Sequence, residues 1–506
     1  MPPASSPAMP SDALREGPLP PRSTSESVLS QVPTQLFIGG KWRDATGSAT
    51  FVVDNPATGA ELLSVADATP QDGLDALAAA DEVAPMWAAT PPRERGELLR
   101  RAYEEIMRCR DDLALLMTLE MGKPVVQAQG EIDYGAEFFR WFSEEAVRIS
   151  GGYSVAPNGL GRILVTRQPV GPCLFITPWN FPLAMGTRKI GPALAAGCTV
   201  VLKPAEQTPL TALLLADLLD RVGVPPGVVN VVTTSRAADL SSAVLADPRL
   251  RKVSFTGSTA VGKLLIEQSA HQVLRASMEL GGNAPFLVFD DADLDMAADG
   301  AMIAKMRNMG EACTAANRFY VQRSVAEKFT AALASRMADQ RVGDGTHAGV
   351  DVGPLIDEPA VAKVEELVRD ARECGATVVV GGQRVDGAGH FYAPTVLTDV
   401  PPQARMLHEE TFGPVAPVVV FDTEDEGVRL ANDTEYGLIA YAYTRDLARG
   451  LRVSEALKVG MVGLNQGLVS NAAAPFGGVK QSGLGREGGH EGIGEYLDTK
   501  YVAVAL

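Results

Sequence analysis

The sequence predicts an α/β protein with a mostly parallel sheet, and three observations carry that expectation. From Ile163 to Phe289 short apolar runs alternate with amphipathic stretches of about 10 to 15 residues, the pattern of βαβ units. A second series of the same kind begins after Asp290. At 506 residues the chain is too long for one ordinary core, so two or three domains are expected, each burying its own interior.

The elements follow in order. Residues 1–33 are rich in Pro, Ser and Ala, lack an apolar signal core, and carry Asp12, Glu16 and Glu26, which a transit peptide would disfavour. They read as a disordered tail. The pattern becomes globular from Phe37, and residues 91–148 read as largely helical, with Leu, Ile and Met at helical spacing. Strands are then expected at 170–176, 199–202, 228–232 and 252–255. Helices at 188–196, 208–222, 237–246 and 259–269 alternate with them. In the second series helices are expected at 294–309 and 325–340, the latter opened by Ser324 and Glu327 at capping-box spacing. Residues 495–506, rich in Tyr and Val, read as a strand with no partner nearby in sequence. Such a strand can complete a sheet in a neighbouring subunit.

Composition narrows the function classes. The 46% hydrophobic content fits a soluble globular enzyme, and no apolar run approaches the roughly 18 residues of a membrane span. A net charge of −17, with no Lys/Arg cluster to offset it, repels phosphate backbones, so nucleic acid is not an expected partner. Cys109, Cys173, Cys198, Cys313 and Cys374 stand far apart without C-x-x-C spacing. That argues against a disulfide framework and fits a reducing cytoplasm. The five histidines (His271, His347, His390, His408, His490) are isolated, with no metal-ligand spacing, so no metal is expected.

Cys313 lies between a helical stretch and the strand-like Phe319-Tyr320-Val321. A thiol at an element end can meet substrate as a nucleophile, although a buried packing cysteine explains the position equally well. Gly257 and Ser258 sit at a strand-to-helix turn, where free backbone N–H groups and the helix dipole suit a phosphate. Gly257, Gly262 and Lys263 imitate a P-loop, but Leu264 stands where the magnesium-binding hydroxyl belongs. Glu279, beside Gly281 and Gly282, can serve as general base or be a solvated strand end. Asn180, in the proline-flanked Pro178-Trp179-Asn180-Phe181-Pro182, can donate to an oxyanion or cap a helix. Lys203 and Glu206 follow a strand at the edge where parallel sheets bind ligands, and can grip ribose hydroxyls or form a surface ion pair.

Together these motifs closely resemble the NAD(P)-dependent aldehyde dehydrogenase superfamily, from about Phe37 to the C-terminus. The likeness rests on P-W-N-F-P, K-P-A-E-Q-T-P, F-T-G-S-T, E-L-G-G-N-A-P, G-x-x-C, E-E-T-F-G-P at Glu409 to Pro414, and P-F-G-G at Pro475 to Gly478. The resemblance implies Cys313 as nucleophile, Glu279 as general base, and Asn180 with the Cys313 backbone N–H as oxyanion hole. It implies Trp179, Lys203 and Glu206 near the adenosine ribose, Ser258 with Gly257 near the pyrophosphate, and Glu410 with Phe412 near the nicotinamide. A carboxylate at Glu206 repels the 2′-phosphate of NADP, so NAD is expected over NADP.

Within the superfamily the chain is most similar to succinate-semialdehyde dehydrogenases, judged by Asn180 to Pro192 and Gly477 to Gly488. That likeness implies Arg188, Arg307 and Ser470 as holders of the substrate carboxylate. Ala315 replaces a second cysteine found in some relatives, so no local disulfide control is expected, and Asn471 leaves glutarate semialdehyde open as an alternative substrate. The resemblance implies a Rossmann-like cofactor domain from 34–147 and 169–281, and a catalytic domain at 282–485. It also implies a small oligomerisation element from 148–168 and 486–506, joining dimers or tetramers.

Overall fold

The computed structural model describes residues 23–505. Its two principal sheets are built as the apolar runs require. The strands Cys173–Ile176, Val200–Lys203 and Lys252–Thr256 are buried throughout, and such continuous burial suits parallel strands covered on both faces. They form the centre of an eight-stranded sheet, in which Lys252–Thr256 pairs in parallel with both Cys173–Ile176 and Arg275–Glu279. The edges are antiparallel: Leu36–Ile38 runs against Val229–Val231, and Gly483–Leu484 against the end of Arg275–Glu279.

Alternation along each strand sends successive side chains to opposite cores. Phe175 and Leu202 face helices such as Val125–Glu145 and Leu210–Arg221, while Leu174 and Val201 face the helices carrying Leu77, Leu240 and Leu265. The second, seven-stranded sheet is packed in the same way. Phe286 and Phe319 lie against Phe329 and Leu333 of Arg323–Ala338, and Leu287 and Tyr320 lie on the other side with Val453.

The expected strands and helices of the first series are present with ends shifted by a residue or a few; 188–196, for instance, lies within the helix Ala184–Ala196. Three expectations need correction. The tail is not featureless where it is described: Ser25–Leu29 is a helix capped by the Thr24 side chain, with Val28 buried; residues 1–22 lie outside the described residues. The capping box at Ser324 and Glu327 is not formed, because the helix Arg323–Ala338 already begins before Ser324, and its N-cap Gln322 makes no side-chain cap bond. The C-terminal strand Leu497–Val504 is not an orphan. It pairs antiparallel with Arg162–Pro169 of its own chain, in a three-stranded sheet with Gly152–Val155.

Candidate active site

Topology places the site. After Arg275–Glu279 the chain leaves the eight-stranded sheet through residues 280–283 and enters the other sheet as Ala284–Val288, whose parallel neighbour is Ala316–Gln322 with Ala284 opposite Ala316. The segments leading into these two strands therefore run side by side, one carrying Glu279 and the other Cys313. Gly282 makes that approach feasible, since a Cβ there would stand 2.4 Å from the Cys313 carbonyl oxygen. On the nucleophile side, the helix pattern read to 309 stops at Met306. Asn308 and Met309 adopt left-handed φ values of 56° and 54°, turning the chain toward Cys313.

A cavity of about 350 Å³ opens between the sheets, and Asn180, Glu279 and Cys313 all line it. Asn180 is buried on the turn before Ala184–Ala196, with its backbone carbonyl accepting from Lys123 Nζ at 2.7 Å and Asn308 Nδ2 at 3.1 Å. Its own Nδ2 donates to the Glu311 carbonyl at 2.9 Å, leaving one amide hydrogen for another acceptor. Among the described residues no acceptor engages the Cys313 N–H.

Burial opposes ionisation of both reacting groups. Burial pushes the half-buried Cys313 thiol up to about 12, opposed by Arg188, while Glu410 and Glu279 add to the rise. Burial, then the negative charge of Glu487, raise the Glu279 carboxyl well above the carboxylate range; its Oε2 has no partner. Glu487 is held by both Arg188 Nε and Lys189 Nζ. Burial works against its ionisation, but those two cations bring its carboxyl down to about 2.

Trp179, Gly257, Ser258, Glu410 and Phe412 line the same cavity. Ser258 caps the helix Thr259–Ala270 by accepting from Val261 N, which sets the positive helix end against the cavity. Trp179 and Phe412 meet edge-on with centroids 5.4 Å apart, and Glu410 Oε1 accepts from Gly282 N at 3.1 Å. Glu206 lines an adjoining space of about 370 Å³ that shares Ile356 and Asp357 with the first. Lys203 lines neither; its side chain is buried and makes no ion pair among the described residues, and burial brings its ammonium down to about 8. These features fit a dinucleotide: two adjoining cavities that share lining residues, a helix N-terminus for phosphate and, among the described residues, an unpaired cation near Glu206 and an orphaned Thr256 hydroxyl in the cavity wall. Lys363 also lines the cavity, a residue that sequence reasoning missed because no motif surrounds it.

A second cavity of about 200 Å³ holds Arg307 and Ser470, joined by a 3.2 Å hydrogen bond from Arg307 Nη1 to the serine hydroxyl. Arg307 makes no ion pair among the described residues, and its guanidinium lies 4.8 Å from the centroid of Phe181. Arg188 is placed differently. It pairs with Glu487 and lies over Phe476 at 4.1 Å, and its buried Nη2 has no partner among the described residues. The structure thus brings together two of the three residues expected to hold a carboxylate, and ties the third into an ion pair.

The aldehyde dehydrogenase family model matches residues 42–502. A succinate-semialdehyde dehydrogenase of Paenarthrobacter nicotinovorans is 59% identical over 88% of this chain and 99% of its own length. A 3-sulfolactaldehyde dehydrogenase of Pseudomonas putida is 52% identical over 94% of this chain and 98% of its own. Among solved structures, the crystal structure of an E. coli NADP-dependent enzyme superposes with a TM-score of 0.93 at 51% identity, covering 94% of this chain and 98% of that one. The motifs, the α/β fold and these matches agree, and the chain belongs to the aldehyde dehydrogenase family.

Proposed function

We propose that this aldehyde dehydrogenase oxidises succinate semialdehyde to succinate with NAD through a thioester on Cys313. The observation that carries the substrate reading is Arg307, a guanidinium without a carboxylate partner beside Ser470 in a cavity sized for a short acid. Arginine presents a donor fork that matches a carboxylate. A protein of net charge −17 needs such a local cation to admit an anion.

In this account the Cys313 sulfur, once deprotonated, adds to the aldehyde carbon. The resulting oxyanion accepts from the free Asn180 amide hydrogen and the Cys313 N–H, donors that act where charge develops. A bound nicotinamide cofactor supplies the acceptor for the hydride. The acyl group is then held as a thioester on Cys313. Glu279, ionised, takes a proton from water; the water oxygen bonds to the acyl carbon and the sulfur leaves. Glutarate semialdehyde is the alternative in the same chemistry. An acyl-CoA-forming reaction is disfavoured by Glu279, which serves water.

NAD is preferred over NADP on the strength of Glu206, whose carboxylate hydrogen-bonds free ribose hydroxyls and repels a 2′-phosphate. We further propose a Rossmann-like cofactor domain from 34–147 and 169–281 and a catalytic domain at 282–485. Assembly into dimers or tetramers proceeds through 148–168 and 486–506, where Tyr153, Leu160 and Tyr501 are exposed. Five unpaired cysteines fit a cytoplasmic setting. No helix among the described residues is long and apolar enough to cross a membrane.

The test is NADH formation at 340 nm with succinate semialdehyde and with butanal, for the wild type and Arg307→Ala. The wild type is expected to favour the acid, and Arg307→Ala to lose that preference mainly through KM. Equal use of both aldehydes by the wild type removes the substrate assignment.

A further inference from the structure

The small cavity beside Arg307 has a wall that no motif announces. Gln127, Glu131 and Tyr134 recur at three- and four-residue spacing on the helix Val125–Glu145 and line one side of it. Tyr134 is fixed from several directions. Phe138 meets its ring edge-on at 5.0 Å, and the Arg307 guanidinium lies 6.0 Å from its centroid. The ring also rests on the cluster formed by Phe181, Met185, Ala312 and Ala315, so it packs against the loop that carries Cys313 as well as facing the cavity.

The Tyr134 hydroxyl is closed to solvent and has no hydrogen-bond partner among the described residues. A buried hydroxyl left unmatched is costly, so its persistence calls for an acceptor that arrives with a ligand. The charges closest in effect to it are the guanidinium groups of Arg188 and Arg307, which are donors only and cannot receive its proton. Arg188 Nη2 is likewise buried without a partner among the described residues, and the nearby carboxylates are engaged: Glu487 by Arg188 Nε and Lys189, and Glu131, which lines the cavity, by Lys123 and the Leu183 and Ala184 N–H groups. Among the described residues lining the cavity, the unengaged groups include the Tyr134 hydroxyl, the Arg307 guanidinium, which has no ion pair, and one acceptor, Asn308 Oδ1. An oxygen anion small enough for about 200 Å³ can accept from the Tyr134 hydroxyl and the Arg307 guanidinium together.

We propose that Tyr134 is a specificity-determining residue whose hydroxyl donates to the anionic end of the substrate, a carboxylate or sulfonate, completing a clamp with Arg307 and Ser470. The inference rests on the acid-aldehyde reading and extends it to a third donor on a different helix. Its geometry explains how a cavity can reject an uncharged aldehyde: a methyl group in place of the anion leaves the guanidinium and the hydroxyl both unmatched.

Tyr134→Phe tests it, because the change deletes one unpartnered oxygen and keeps the ring. The measurements are kcat and KM for succinate semialdehyde and for butanal with NAD, and the inhibition constant of succinate. The acid-over-butanal preference is expected to fall about 10- to 100-fold, the range for a hydrogen bond to a charged acceptor, with the loss in KM and a parallel rise in the succinate inhibition constant. A variant that keeps the wild-type preference and inhibition constant overturns the inference while leaving the substrate reading intact. A wild type without preference for the acid overturns the substrate reading, and this inference with it.

Discussion

Gly282→Ala is the most demanding perturbation of the site, because its effect follows from a single contact. The new Cβ would sit 2.4 Å from the Cys313 carbonyl oxygen. Even close C–H···O contacts keep carbon and oxygen about 3.3 to 3.6 Å apart, so one of the two loops must move by roughly 1 Å. Neither loop moves alone. Gly282 N is tied to Glu410, and the Cys313 loop is tied through the Glu311 carbonyl to Asn180 and Asn308. A displacement of about 1 Å at reacting groups costs on the order of 100-fold in rate. Overpacking of this kind also costs about 1 to 3 kcal/mol of stability. The assay is steady-state NADH formation at 340 nm, with thermal unfolding followed in parallel. A folded Gly282→Ala enzyme with kcat within about threefold of wild type would refute the reasoning, because the two loops would then not be held in register by this contact.

Two further predictions concern cofactor and proton balance. Glu206→Ser removes the carboxylate that opposes a 2′-phosphate, so the ratio of NADP to NAD use should rise at least tenfold, on the order of one lost charge repulsion; an unchanged ratio counts against the assignment. Burial raises both Cys313, to about 12, and Glu279, so the Cys313 thiolate is the minority form at neutral pH and both reacting forms are gained as pH rises. The kcat/KM should therefore climb from pH 6 through pH 9, and a flat profile over that span would contradict a resting thiol at Cys313.

Much of the candidate site was legible in sequence because each proposed role sits in a short local motif. Cys313 and Asn180 lie on turns and Glu279 at a strand end, each near glycine or proline, and the fold sets them around one cavity. What escaped notice depends on distant partners. Arg188 reads as a free cation until Glu487, 299 positions away, is seen to hold it. Lys123 supports the Asn180 carbonyl from a separate helix boundary, and Tyr134 belongs to a stripe whose spacing alone marks only a helix face. The fold shows the same division. Strands buried on both faces announce themselves as apolar runs, whereas the partner of Leu497–Val504 is fixed by long-range pairing. The end of the helix at Met306 was hidden because Met309 keeps the apolar spacing while the backbone at Asn308 and Met309 turns left-handed.

The central claim is a covalent acyl-enzyme on Cys313 that Glu279 releases through water. Glu279→Gln removes the base and should leave acylation in place, so mixing that variant with NAD and succinate semialdehyde should give a burst of NADH and trap the acyl group. Intact-protein mass spectrometry, followed by peptide mapping, is expected to show a succinyl adduct on the peptide that contains Cys313, absent from Cys313→Ala. Full multiple turnover by Glu279→Gln, or an adduct on any other cysteine, would contradict the account.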